Sequence, residues 1–481
     1  MRLYRKDGVT VQIVNFPSEE VEKGEYLAIQ DAKTGKSLIV QVIDIQYANI
    51  PGILEELLRD YDGDSYVQGD DVDPFGMATH TMFIQDAQML ICKIRATKHN
   101  GELVSTSSWL PSRSRSVFKK LPIEKLIQHK RFAEKYTVCL GETTQKAQLQ
   151  LDVRSLDGSL NIITGKKGTG KSHVSKLLTL SLVDHGAPVV ILDLNGEYAG
   201  LGESVDGKPN KFSGKIHVLT PRRNLKVTLR QLKINVMLNI LVNALNLPGA
   251  SAREFKHIWR FLEQRDTLTM NELGETIKNW KCNQHVRDAL FSRYHTLLNS
   301  GLITDDLTQT DPLEDSIYRA RVGGAVVVNL RDTSTTARHV LVELVLGKLV
   351  ELLSSWKLRA VFLFAEEAHL YLRETYWDDI VTRMRHFGVF TTFITNQPDT
   401  IRESIYRQAD NVFLFNFTNE YDLETVSRAS RVDSETVKLV ARDLPPHHCL
   451  VLGEIVNNFP IIARIKNLDV HAMGKTRLFF T

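Results

Sequence analysis

The chain has 481 residues, 43% of them hydrophobic, with a net charge of only +3 and four cysteines. That length and apolar content can build two or three domains with substantial cores. So small a net charge excludes a global field drawing the chain to nucleic acid, and any such binding must come from a local basic surface or a pore. Cys92, Cys139, Cys282 and Cys449 are far apart and form no C-x-x-C pair, which argues against a zinc site or a disulfide scaffold. Arg2, Arg5 and Lys6 are followed by polar and acidic residues rather than an apolar stretch, and no apolar run approaches membrane length, so neither a signal peptide nor a membrane span is expected. A cytoplasmic location follows as the expectation. The many Asn, Gln and His residues and 24% charged content do not resemble a hyperthermophile surface.

Residues 1–135 hold short alternating segments such as VTVQIVNF, EYLAIQ, SLIVQVIDIQ and MLICKIRAT, broken by Gly24, Gly35 and Gly101. This pattern predicts a small all-β unit, a barrel, with one helix at PGILEELLRD and an acidic loop from Asp60 to Asp73. The basic run from Pro111 to Arg131 reads as a solvated linker rather than a nucleic-acid contact.

An α/β core begins near Tyr136. Within it, NIITGKKGTGKS (Asn161–Ser172) carries an apolar run into the pattern G-x-x-x-x-G-K-S and on into a helix-like segment. This is the signature of a phosphate-binding loop. Gly165, Gly168 and Gly170 let the backbone of Lys166, Lys167 and Thr169 curl so that N–H groups face one anionic centre. Lys171 can reach the β- and γ-phosphates, Ser172 can ligate Mg²⁺, and His173 follows in the first turn of the helix. The next segment, APVVILDLNGEYAGL, reads as a buried parallel strand ending in Asp193 and then Glu197, two acids placed at a ligand-binding edge.

From residue 229 to 320 the apolar residues repeat at helical spacing, as in INVMLNILVNALNL and AREFKHIWRFLEQ, and predict an inserted helical bundle with Trp259, Phe261 and Tyr294 as core. Residues 321–465 return to the first pattern, with strands AVVVNL, RAVFLF, VFTTFIT, NVFLFNF and CLVLGEI and helices at ARHVLVELVLGKLVELL and near YWDDIVTRMRHFG. The predicted fold is α/β, a mostly parallel sheet covered on both faces. RAVFLF runs into Glu366 and Glu367, and VFTTFIT into Asn396 and Gln397. One carboxylate can hold the Mg²⁺ water shell and the other can orient or deprotonate the attacking water, while an amide senses the γ-phosphate. Residues 466–481 form a tail ending in Leu478, Phe479 and Phe480, an apolar cluster expected to pack on the core or on a neighbouring subunit.

These residues resemble the HerA-type DNA translocases of the HerA/FtsK group of RecA-like P-loop ATPases. The resemblance runs nearly the full length. It is carried by the phosphate loop with LDLNGEYAGL, by EEAHLYL, by RHFGVFTTFITNQPDTI and by LPPHHCLVLGEIVNNFPIIARI. It implies an ATP- and Mg²⁺-dependent homohexameric ring that threads duplex DNA and works with a separately encoded nuclease (NurA-like) or, in anti-phage defence, with another nuclease or a sirtuin-type effector. Carried over, it makes Lys171 and Ser172 the phosphate and Mg²⁺ positions, Asp193 and Glu197 the acidic motif, and Glu367 the catalytic carboxylate. The family usually has Asp where Glu366 stands and Gln where Asn396 stands, which leaves Asn396 and Gln397 both open as sensor. Arg385 matches a basic position able to approach a neighbour's nucleotide as an arginine finger, with Arg383 and Arg407 as rivals. A DNA translocase is the first expectation; a nucleotide-gated scaffold for a defence effector is the alternative. An ABC-type transporter ATPase and a kinase are disfavoured, and no nuclease constellation is found within the chain.

Overall fold

A computed structural model describes residues 1–16, 19–48, 86–104, 109–127, 136–306, 311–371, 382, 385–429 and 432–471. The helix expected at PGILEELLRD, the acidic loop, Lys130 and Arg131, most of the helix expected near Tyr376, Arg383 and the Leu478–Phe480 cluster lie outside the described residues.

The amino-terminal alternation becomes an antiparallel sheet of β1 (Arg2–Asp7), β2 (Thr10–Asn15), β3 (Tyr26–Asp31), β4 (Ser37–Tyr47), β5 (Gln88–His99), β6 (Glu102–Val104) and β7 (Ser116–Lys120). Its order is β1-β2-β5-β4-β3-β7, with β6 on β5, and among the described residues no pairing of β1 with β7 closes it into a barrel. Val11, Ile13, Leu27, Ile29, Val40 and Leu90 form its core. The basic run read as a linker in fact contains β7, which pairs with β3. Phe118 packs on that core while Lys119 and Lys120, on opposite faces of the strand, stay exposed, Lys120 pairing with Glu25 at 3.0 Å.

A second sheet has eleven strands: β8 (Thr137–Thr143), β9 (Gln148–Asp152), β10 (Asn161–Thr164), β11 (Pro188–Asp193), β12 (Ile216–Leu219), β13 (Gly324–Asn329), β14 (Val361–Glu366), β15 (Val389–Thr395), β16 (Asn411–Leu414), β17 (His448–Gly453) and β18 (Ile461–Ile465), in the order β12-β13-β11-β14-β15-β10-β16-β17-β18-β8-β9. From β12 to β16 all neighbours are parallel, which explains why these strands read as unbroken apolar runs: both faces are covered. The loops after β10, β11, β14 and β15 therefore meet at one edge. Beyond β16 the pairing turns antiparallel through β17, β18, β8 and β9. Gly141 sits in that seam, where a Cβ would lie 1.8 Å from the Arg464 carbonyl oxygen.

Helices cover the sheet. The phosphate-loop helix α1 (Lys171–Asp184) follows β10. After β12 come α2 (Ile234–Asn239), α3 (Gly249–Gln264), α4 (Met270–Asn279), α5 (Gln284–Ser300) and α6 (Pro312–Ala320) before β13. The last three start at side-chain caps: Thr269, Asn283 and Asp311 each accept backbone N–H of the first turn. Trp259 is fully buried, and Phe261 and Tyr294 pack partly buried against the same core. The long helix α7 (Thr335–Ser354) underlies this segment, and its buried Lys348 pairs with Asp311 at 2.9 Å. The chain then runs through α8 (Glu420–Ala429) and α9 (Ser434–Arg442) into β17. These two helices pack on each other and return the chain to the edge it left, so β17 runs opposite to β16.

The amino-terminal sheet docks on α9 and on the turn before β18. Arg95 donates to Asp433 at 2.8 Å and to Thr436 at 2.7 Å, Lys93 pairs with Glu435 at 2.5 Å, and Tyr26 and Gln41 each donate to the Pro460 carbonyl at 2.8 Å.

Candidate active site

At the C-terminal edge of the parallel strands, a cleft of about 780 Å³ is lined by Lys167, Gly168, Gly170, Lys171, Ser172 and His173 on one wall and Glu197, Glu366, Glu367, Asn396 and Gln397 on the other. Gly165, Gly168 and Gly170 have φ of +155°, +81° and +120°. A Cβ on Gly165 would lie 2.4 Å from the Phe415 Cβ, so only glycine lets the loop turn over β16. The loop is pinned from outside: Lys166 N–H donates to Asn416 O, and His447 N–H donates to Thr169 O. Lys171 Nζ donates to Gly165 O at 2.7 Å and Lys166 O at 3.0 Å. Burial lowers its pKa, against the pull of the charges on Glu367, Glu197 and Glu366. Helix α1 begins at Lys171 and points its N-terminus at the cleft.

Glu366 closes β14 and Glu367 begins the turn after it. Glu366 is 2% exposed, and its Oε2 is buried without a hydrogen-bond partner. Burial raises its pKa well above the usual carboxylate range, and the negative charges of Asp193 and Glu197 add to that. Glu367 has φ of +45°, a costly conformation for a glutamate. Its Oε2 accepts from Thr395 Oγ1 at 3.1 Å and Asn396 N at 3.4 Å. His369 Nδ1 lies 3.7 Å from the same oxygen, and burial lowers the imidazole's pKa.

The predicted residues thus divide. Lys167, Gly168, Gly170, Lys171, Ser172, His173, Glu197, Glu366, Glu367, Asn396 and Gln397 line one cleft, while Gly165, Lys166 and Thr169 shape the loop behind it. Asp193 does not line it. Both of its oxygens are taken by backbone, Oδ1 by Gly196 and Glu197 N–H and Oδ2 by Tyr198 N–H, so it builds the turn that presents Glu197. Arg385 lies before β15, at the other end of the sheet, paired with Asp410 at 3.2 Å. Arg407 pairs with Glu403 at 2.7 Å. Arg331, His369 and His447 also line the cleft, and none was assigned a role from sequence. The signal for Arg331 was its place just after the strand AVVVNL, at the edge where the other loops gather.

A buried, unpartnered carboxylate oxygen opposite a hydroxyl on a phosphate loop suits a hard cation. Glu366 and Ser172 fit Mg²⁺ in that respect. Among the described residues no cluster of three His, Cys, Asp or Glu side chains could hold a metal by itself.

The comparison with known families meets this geometry. Residues 138–349 match the profile described as the central domain of the helicase HerA. They form a HerA-type ATPase domain. The DNA double-strand break repair helicase HerA of Saccharolobus solfataricus is 21% identical over 350 residues, covering 69% of this chain and 68% of that protein. Its counterpart from Sulfurisphaera tokodaii is 23% identical over 354 residues, 68% of each. Among solved structures, VirB4 of Thermoanaerobacter pseudethanolicus matches with a TM-score of 0.54 and 15% identity, over 69% of this chain and 96% of that one. The plasmid coupling protein TrwB in complex with a non-hydrolysable ATP analogue matches with a TM-score of 0.50 and 15% identity, over 73% and 93%. These likenesses establish the shared α/β fold around the HerA-type domain.

Proposed function

We propose that this chain is an ATP-driven DNA translocase that assembles as a hexameric ring and moves duplex DNA through its centre, in concert with a separately encoded nuclease in end processing or anti-phage defence. The observation that carries the reading is one cleft holding a phosphate loop, a buried Glu366, an oriented Glu367 and the Asn396–Gln397 amides, in a domain of HerA type. Residues 1–135 act in this reading as a docking unit and 229–320 as an insertion in the motor.

Lys171 and the loop bind the β- and γ-phosphates, with the α1 dipole behind them. Ser172 and Glu366 would hold Mg²⁺, which would supply positive charge against the developing phosphate charge. Glu367 orients the attacking water and takes up its proton, since the Thr395 hydroxyl and the Asn396 backbone N–H fix its Oε2 while leaving the carboxylate at the cleft wall. Because the Asn396 backbone N–H donates to the same carboxylate, contact of the Asn396 side chain with the γ-phosphate shifts the base as well. The ring supplies what one subunit lacks: Arg385, remote from its own cleft, serves the neighbour's.

The test is the ATPase rate with and without long duplex DNA, beside Glu367→Gln. Stimulation by DNA is expected, with hydrolysis reduced about 100-fold or more in the variant while nucleotide binding persists. Hydrolysis indifferent to DNA would instead favour the nucleotide-gated scaffold. That second reading draws support from the ties between the amino-terminal sheet and α9, whose following segment touches the phosphate loop through Asn416 and His447.

A further inference from the structure

We propose that Arg331 is a second phosphate-binding cation, acting on the terminal phosphate of the nucleoside triphosphate bound by its own subunit; this rests on the nucleotide-site reading above. Arg331 follows β13 on the turn Leu330–Thr333 and lines the cleft together with Lys171, Glu197 and Glu366. Its guanidinium makes no ion pair among the described residues. Its place is built. Leu330 N–H donates to Asp193 O at 2.8 Å, Thr333 closes the turn on Leu330 O, and Arg331 N–H donates to Asn329 Oδ1 at 3.0 Å. The same Asp193 ties down Gly196 and Glu197 with its carboxylate, so one residue sets the distance between the Arg331 turn and the acidic turn.

Gly196 provides the track for the side chain. It has φ of +72°, and a Cβ there would lie 3.0 Å from Arg331 Cδ, so the aliphatic stem runs across the glycine at close range. Chemistry favours a second cation here. Three carboxylates line the cleft; Glu197 pairs with Lys176 at 3.6 Å, and all three share the field of one loop lysine, Lys171. A triphosphate brings several more negative charges. Lys171 is one cation, and its ammonium is desolvated by burial. A guanidinium keeps its charge in any such surroundings and offers a planar fork to phosphate oxygens. Arg385, the finger candidate, is held at the opposite end of the sheet.

The experiment compares Arg331→Ala and Arg331→Lys with the wild type and with Lys171→Ala in the full-length protein, measuring kcat, the affinities for ADP and ATPγS, and melting temperature. We expect kcat to fall about 100-fold in Arg331→Ala and to recover in part in Arg331→Lys. ATPγS binding should weaken while ADP binding and melting temperature hold. A kcat within about threefold of wild type, or equal loss of ADP and ATPγS binding together with a lowered melting temperature, would overturn the proposal. Mixing Arg331→Ala with Glu367→Gln subunits should restore nothing; recovery would place the arginine in a neighbour's site and refute action within the subunit. If the wild type hydrolyses no ATP and Lys171→Ala leaves nucleotide binding unchanged, the nucleotide-site reading itself has failed. A wild type sensitive to Lys171→Ala but not to Arg331→Ala sinks the Arg331 proposal alone.

Discussion

Glu366 sits where a carboxylate is costly. Burial first, then the charges of Asp193 and Glu197, raise its pKa, so the folded chain holds this proton more tightly than the unfolded chain. Stability must then fall as pH climbs from the ordinary glutamate range toward the raised folded value. Glu366→Gln removes the penalty. In nucleotide-free, metal-free buffer the variant should melt above wild type at pH 8, by on the order of 2 °C, with the gain shrinking at pH 5, while hydrolysis is lost at both. Equal gains at the two pH values in thermal melts would contradict this origin of the shift. At this scale the sequence spoke clearly where a motif fixes backbone conformation, as at Gly165, Gly168 and Gly170. It was silent on Asp193, whose role as a turn anchor depends on three N–H groups that converge only once the loop is folded. Arg331 was missed for a related reason: a lone arginine after a strand has no spacing to mark it, and only the parallel order of β13 beside β11 brings it to the cleft.

Between elements, the joint of the amino-terminal sheet with α9 depends on few groups. Burial pushes the Asp433 carboxyl up, but Arg95 and the Thr436 hydrogen bonds outweigh it and hold the pKa below the usual range. The contribution is therefore complete above the ordinary aspartate range and lost as pH falls through the depressed value. Arg95→Ala leaves Asp433 without its closest cation and should cost about 2 kcal/mol. Asp433→Asn combined with it should cost less than the sum of the two, and strict additivity in denaturant melts would show that the pair is not coupled. Periodicity identifies the strands NVFLFNF and CLVLGEI of this region, while α8 and α9 between them went unread. What it lacked was direction. CLVLGEI reads like any buried parallel strand, yet it returns antiparallel because α8 and α9 double back on one edge instead of crossing the sheet. Basic residues hid β7 in the same way, since Lys119 and Lys120 masked a pattern whose informative member is Phe118.

For the whole molecule, the placement of Arg385 turns the proposed ring into a measurable claim. Its tie to Asp410 puts it at the opposite sheet edge from the cleft in the same chain. Subunits carrying Arg385→Ala and subunits carrying Glu367→Gln should each be nearly inactive alone, yet their mixture should regain a substantial fraction of the ATPase, because a Glu367→Gln subunit lends its arginine to an intact acidic site next door. A mixture no more active than its parts would remove Arg385 from the trans role. Phosphate-mediated DNA binding, in turn, should weaken steeply with salt and ignore sequence.

One ladder of backbone hydrogen bonds runs unbroken from β10 through β16 and β17 to β18 and β8. Amide protons along it cannot be surrendered to solvent strand by strand, because freeing one row strips its neighbours of partners. Deuterium uptake from the phosphate loop's own strand to the face beneath Tyr26 is thus governed by a common opening event, and a ligand that slows exchange at Ile162 slows it at Ile462 as well.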